Sequence, residues 1–231
     1  MTLEEFTTVN TIQFKNTTLL EQAFIHRSFI NENPRTGLVH NERLEFLGDA
    51  VLELVVTEFL FEKYPYQNEG DLTAYRSALV NAVTLGDLAS SLGFNDLMKL
   101  SKGEAKDVHR ARSSILADAY EAFVGALYLD QGYDAAKQFI TRTLLVQTDD
   151  IIRKGLYKDA KSYVQEKSQE VYSLTPSYRV LSEEGPDHDK LFLTGIFFGE
   201  EKIAEGRGKS KQEAETAAAR AALITKGWVS Q

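Results

Sequence analysis

Residues 41–54 read NERLEFLGDAVLEL. Leu44, Leu47, Val51 and Leu54 recur at helical spacing, with none of the strict alternation of a half-buried strand. Gly48 falls beside them, where the missing side chain lets another helix approach closely. Glu42, Glu45 and Asp49 follow at steps of three and four, which puts all three carboxylates on one stripe of the same helix. The helical pattern runs from about His40 to Tyr64 and stops before Pro65.

A second acidic helix is legible at SSILADAYEAFVGALYL, residues 113–129, where Asp118 and Glu121 stand three apart. Ile115, Leu116, Ala119, Ala122 and Phe123 surround that pair, and the stretch contains no Lys, Arg or His. Two readings stand at this point. Each acidic stripe is a solvated helix face, or the carboxylates hold a cation that the sequence does not supply. Acids repeated on one face without basic partners repel one another, which favours the second. Hard oxygen ligands suit Mg²⁺ or Mn²⁺ better than zinc. A di-iron bundle would need Glu-x-x-His, and none of His26, His40, His109 and His188 has that spacing. The chain has no cysteine, which excludes disulfides, thiolate metal sites and a cysteine nucleophile. The histidines have no acidic partner at an interpretable spacing, so a Ser-His-Asp arrangement is not expected, and His26 reads as structural.

Around these two helices the first 150 residues are helical throughout. Thr18 and Glu21 have capping-box spacing, which predicts a helix over 18–29. Another opens at Gly70–Asp71 and ends at Gly93, and Tyr133 to Leu145 forms the last. From Lys158 the pattern changes. A helix over 158–172 precedes Pro176 and three strand-like runs, SYRVLSEEG, KLFLTGIFFG and EKIAEGRG, each closed by Gly. A final helix runs from about Ser210 to Lys226. The expectation is an all-α domain over 1–150, a short linker over 151–157, and an α-β-β-β-α domain of α+β class over 158–228.

The 231 residues are 43% hydrophobic and 26% charged, enough for real cores and wrong for a disordered chain. Net charge is −8, unusual for a nucleic-acid binder, yet from Leu156 onward 11 basic residues nearly balance 12 acidic ones. The acid excess lies in the first part. No segment has the length of a membrane span, and the polar start MTLEEFTTVN is not a signal peptide. A cytoplasmic protein without membrane contact or a small-molecule cofactor is expected. In the second domain, Ser210 and Glu213 have capping-box spacing. Lys209 and Lys211 then fall at the positive end of a helix dipole, a conflict that a bound phosphate would relieve.

ERLEFLGDAVL at 42–52 closely resembles the signature of the ribonuclease III family. HRSFINEN at 26–33, EGDLTAYRSALV at 69–80 and SILADAYEAFVGALYLD at 114–130 match that family's other blocks in the same order. The resemblance implies an endonuclease domain that forms a homodimer and hydrolyses double-stranded RNA with Mg²⁺, Mn²⁺ substituting. It further implies staggered cuts leaving 5′-phosphate and 3′-hydroxyl ends, in the processing of ribosomal, messenger and other structured RNA precursors. On the matching positions Glu45, Asp118 and Glu121 would bind metal, with Asp49 and Glu121 as the essential acid pair. Glu42 and Glu69 match acidic positions lining the family's cleft. Phe46 matches an aromatic that plugs a pocket on the partner, although on its own it reads equally well as a core side chain. The second module is similar to a double-stranded RNA-binding domain in its element order, in GPDHDK at 185–190 and in GKSKQEAE at 208–215. By that resemblance Gln165, Glu166 and His188 face the minor groove, and Lys209 and Lys211 face phosphates. Gln212 stands where the family often has a third basic residue. The rival reading is a non-catalytic protein of the same architecture that scaffolds structured RNA, and the full acid set argues against it.

Overall fold

The two acidic segments form the two longest helices, α4 (Glu42–Lys63) and α8 (Arg110–Gln131), each of 22 residues. They cross at a pair of glycines. A Cβ on Gly48 would overlap the Glu121 carbonyl, and one on Gly125 would overlap the carbonyl of Leu44. The crossing is backbone against backbone, so the acids beside it on both helices are forced into one neighbourhood. A computed structural model describes residues 1–106, 110–153, 160–186 and 190–228. It divides into two compact units, Met1–Asp149 and Asp150–Gln231.

In the first unit α8 is the central element. Ten of its side chains between Ile115 and Leu127 are buried, so it is apolar on nearly every side, as a core helix must be. Around it lie α1 (Leu3–Val9), α2 (Thr17–Ala23), α3 (Arg27–Glu32), α5 (Glu69–Leu79), α6 (Ala82–Ser91), α7 (Phe94–Leu97) and α9 (Tyr133–Thr143). Phe6, Phe24, Phe94 and Phe123 meet mostly edge to face, with ring centres 4.9 to 6.2 Å apart. Aromatic quadrupoles favour that arrangement. On α4 the buried face is Leu44, Gly48, Val51, Leu52, Val55, Val56 and Leu60. Leu54 is therefore not a packing residue: it is 57% exposed, with Phe46 and Phe61 also on the surface.

Two expected helices are each divided. The helix predicted over 18–29 ends at Ala23 and resumes at Arg27, because the chain between them hydrogen-bonds elsewhere. Lys99 N donates to Phe24 O at 2.8 Å, His26 N to Lys99 O at 3.1 Å, and Asn41 N to Ile25 O at 2.9 Å. Asn41 is 2% exposed and its Nδ2 also donates to Ala23 O. The Thr18–Glu21 box does not form; Asn16 caps α2 by accepting from Thr18 N. The helix predicted over 70–93 breaks at Val80–Asn81, where Asn81 accepts from Val83 N and Thr84 N and so starts α6. A further helix, α10 (Thr148–Arg153), runs across the boundary between the units. It takes in residues 151–153 of the expected linker, and 154–157 lie outside the described residues.

In the second unit α11 (Ala160–Tyr172) precedes an antiparallel sheet of β1 (Ser177–Glu184), β2 (Leu191–Phe198) and β3 (Glu201–Gly208), in that spatial order. The chain returns as α12 (Lys211–Thr225). Val164, Ile196, Phe198, Ala218, Ala219, Ala222 and Leu223 form the core. The alanines keep α12 on top of β3: a Cβ at Gly206 would overlap Ala218 N. Ser210 caps α12 by accepting from Glu213 N at 3.1 Å, and the Glu213 carboxylate accepts from Lys209 N at 2.9 Å rather than from Ser210. No helix among the described residues is long and apolar enough to cross a membrane.

Candidate active site

Glu45 and Asp49 project from α4 within one turn of the Gly48 crossing, and Asp118 and Glu121 from the facing stretch of α8. Glu45, Asp118 and Glu121 are half-buried and Asp49 is exposed. On a helix as apolar as α8, two partly buried carboxylates are expensive unless something compensates them. No ion pair or hydrogen bond engages any of the four side chains among the described residues.

The electrostatics record that deficit. Burial pushes Glu121 up to about 8, helped by repulsion from Asp49, Asp118, Glu45 and Glu53. Glu45 rises to about 7, by burial first and then the charges of Asp118, Glu42 and Asp49. Asp118 is also raised by burial, with His26 opposing and Glu42 adding to the shift. The acids that the sequence places on two helices therefore feel one another as one cluster. Glu53 belongs to its field as well. Its place is legible in the sequence, where Glu53 continues the stripe of Glu45 and Asp49 four residues on.

Glu42 differs from the others in having partners: Arg27 Nη1 lies 3.0 Å from its Oε1 and His40 Nδ1 3.6 Å from its Oε2. Glu69 opens α5, is exposed, and contributes to none of the raised carboxyls. His26 has the structural role expected of it. It is the N-cap of α3, where Nδ1 accepts from Ser28 N at 3.3 Å and lies 2.8 Å from Ser28 Oγ.

The donor set is entirely oxygen, which suits a hard divalent cation. Among the described residues no three such groups stand together in ligating positions. By donor type and by unbalanced charge, Glu45, Asp118 and Glu121 fit a divalent cation.

Phe46, one residue from Glu45, is 81% exposed and is not a core side chain. With Leu54 and Phe61, eight and fifteen positions on, it makes an exposed apolar ridge along α4. In the second unit Gln165 and Glu166 are exposed on α11, and Lys209 and Lys211 are exposed where α12 begins. His188 lies outside the described residues.

Residues 16–148 match the family model described as Ribonuclease-III-like, and residues 160–225 match the double-stranded RNA binding motif. Ribonuclease 3 of Bdellovibrio bacteriovorus is 46% identical over 215 residues, spanning 93% of this chain and 92% of that protein. The chain belongs to the ribonuclease III family. As a ribonuclease III it is a double-strand-specific endoribonuclease, with a helical nuclease domain followed by an RNA-binding domain. Ribonuclease 3 of Borreliella burgdorferi is 42% identical, covering 96% of this chain and 90% of its own. Among solved structures, the nuclease domain of Campylobacter jejuni ribonuclease III is 41% identical. It covers 62% of this chain and 95% of its own, with a TM-score of 0.56. That structure is described by flexibility in the region involved in its dimer formation.

Proposed function

We propose that this ribonuclease III hydrolyses duplex RNA at the carboxylates where α4 crosses α8, using Mg²⁺ with Mn²⁺ as a substitute. The observation that carries this reading is the cluster of partly buried acids without a cationic partner among the described residues, in a chain that also has a double-stranded RNA binding motif. Glu45, Asp118 and Glu121 would hold the cation, and Asp49 and Glu121 are the acid pair on which turnover depends. When bound, the cation neutralises charge developing on the phosphate and lowers the pKa of a coordinated water. Without the cation, burial and the neighbouring acids push the Glu121 carboxyl up to about 8, which favours its protonated form. Glu42, paired with Arg27, borders the site, and Glu69 is a second acid of the cleft. Gln165, Glu166 and His188 face the minor groove, and Lys209 and Lys211 face phosphates.

The active form is a homodimer, supported by the exposed Phe46–Leu54–Phe61 ridge and by the dimer-forming region named for the Campylobacter relative. Cuts are staggered, with 5′-phosphate and 3′-hydroxyl ends, and the cytoplasmic substrates are ribosomal, messenger and other structured RNA precursors. The test incubates one labelled RNA, as duplex and as single strand, with Mg²⁺, Mn²⁺ or Ca²⁺. Cleavage of the duplex with Mg²⁺ and Mn²⁺, and binding without cleavage with Ca²⁺, is expected. Equal cutting of the single strand, or duplex cutting in EDTA, would overturn the reading.

A further inference from the structure

Glu183 is the penultimate residue of β1 and lies opposite Phe192 on β2. Its two carboxylate oxygens face two different lysines. Oε1 is 3.5 Å from Lys211 Nζ, and Oε2 is 4.0 Å from Lys190 Nζ. Lys211 opens α12, and its ammonium also lies 5.7 Å from the centre of the Phe192 ring. The side chain is thus folded back over the sheet. Lys190 ends the segment between β1 and β2. One carboxylate is shared between the segment that leads into β2 and the start of the last helix.

Both separations are long for an ion pair, with Lys211 well exposed and Lys190 partly so, and the carboxylate attracts each ammonium without closing on either. Such surface contacts hold weakly. They gain importance when a polyanion competes for the same lysine. A phosphate that takes Lys211 displaces the carboxylate and then stays within a few ångströms of it, and like charges at that distance repel. The position of Lys211 makes the competition sharper. At the first turn of α12 the helix dipole already favours an anion, and Glu183 adds one beside Lys211 to the Glu213 carboxylate that meets Lys209 N.

We propose that Glu183 is an intramolecular counter-anion for Lys211 and Lys190 that holds down the affinity of the RNA-binding domain for phosphates. The proposal rests on the reading that Lys211 faces phosphate. Its consequence is specificity: a polyanion offering charge alone gains little, and only a duplex that also makes the minor-groove contacts is held. Glu183 acts through the lysines and is a positioning residue.

The full chain is titrated with a labelled duplex RNA in EDTA, by fluorescence anisotropy, over a series of salt concentrations. Glu183→Gln should tighten binding by about two- to fivefold, the range of one exposed ion pair. It should also steepen the salt dependence by up to about one unit of slope. Lys211→Gln should weaken binding and flatten the slope, and in that background Glu183→Gln should lose at least half of its gain. Unchanged or weaker binding by Glu183→Gln, with Lys211→Gln still weakening it, would overturn the proposal, since it would mean that Glu183 braces the site. Wild-type affinity in Lys211→Gln would instead overturn the phosphate-facing reading beneath it.

Discussion

Replacing Glu121 by Gln keeps the size of the side chain and removes its charge. If Glu121 both holds the cation and completes the acid pair, the variant should lose cleavage by about a thousandfold or more, equivalent to about 4 kcal/mol of barrier. Its fold and duplex affinity should be largely intact, as circular dichroism and anisotropy would show. Near-normal cutting at saturating Mg²⁺ would refute the site. The same residue predicts a pH dependence. In metal-free protein its pKa is near 8 when folded, against an ordinary 4.5. The native state therefore binds more protons between those values, and stability falls as pH rises from about 4.5 through about 8. Glu45, raised to about 7, acts in the same direction. The urea midpoint in EDTA should decline over this range, the decline should be shallower in Glu121→Gln, and Mg²⁺ should restore the midpoint at pH 8. At this scale residue types and spacing marked Glu42, Glu45, Asp49, Asp118 and Glu121 as two acidic stripes, and only the family resemblance singled out the last four. The sequence could not rank them, since the upward shifts of Glu45, Asp118 and Glu121 depend on burial and on acids from the other helix. Nor could spacing separate Glu42, whose partner Arg27 lies outside the helix.

The element that gathers these acids is the crossing of α4 and α8, and it leaves no room for a methyl group at either glycine. Gly48→Ala would gain helix propensity but would drive its Cβ into the Glu121 backbone. Overpacking should win, with a loss of about 3 kcal/mol in urea unfolding and a loss of activity beyond that explained by the unfolded fraction. A stable, fully active Gly48→Ala would show that the helices part without disturbing the acids. Long elements were read well: α4 and α9 fall within two or three residues of their expected bounds, because periodicity over several turns is a strong signal. The breaks inside 18–29 and 70–93 were not. The first is set by bonds from Lys99 and Asn41, remote in sequence, and the second by one Asn whose side chain outcompetes the local helix. Leu54 went wrong for a related reason. Spacing places it on a packing stripe, but which stripe is buried depends on where α8 lies.

At the scale of the whole molecule the two units have separate cores, and the reading gives chemistry to the first and affinity to the second. Residues 1–155 alone should cut poorly in moderate salt and better in low salt. Fewer phosphate contacts should give a shallower salt slope for binding, and an unchanged slope would refute the division. The proposed dimer raises a different question. Each chain has one set of Glu45, Asp49, Asp118 and Glu121, whereas the proposed staggered cut breaks two strands. Antiparallel backbones are related by two-fold axes, as are the subunits of most dimers, so one site per chain would meet one strand each. The ridge on α4 lies beside the acids, and Phe46 is its most exposed member. Phe46→Ala should weaken dimerisation measured by sedimentation and, through that, lower the rate at limiting enzyme concentration. The decisive measurement uses dimers of one wild-type and one Glu121→Gln chain, purified through two different tags. With one competent site they should nick a single strand of the duplex and release no double-strand product. Double-strand cuts from verified mixed dimers would mean that one site serves both strands, and the two-fold assignment would fall.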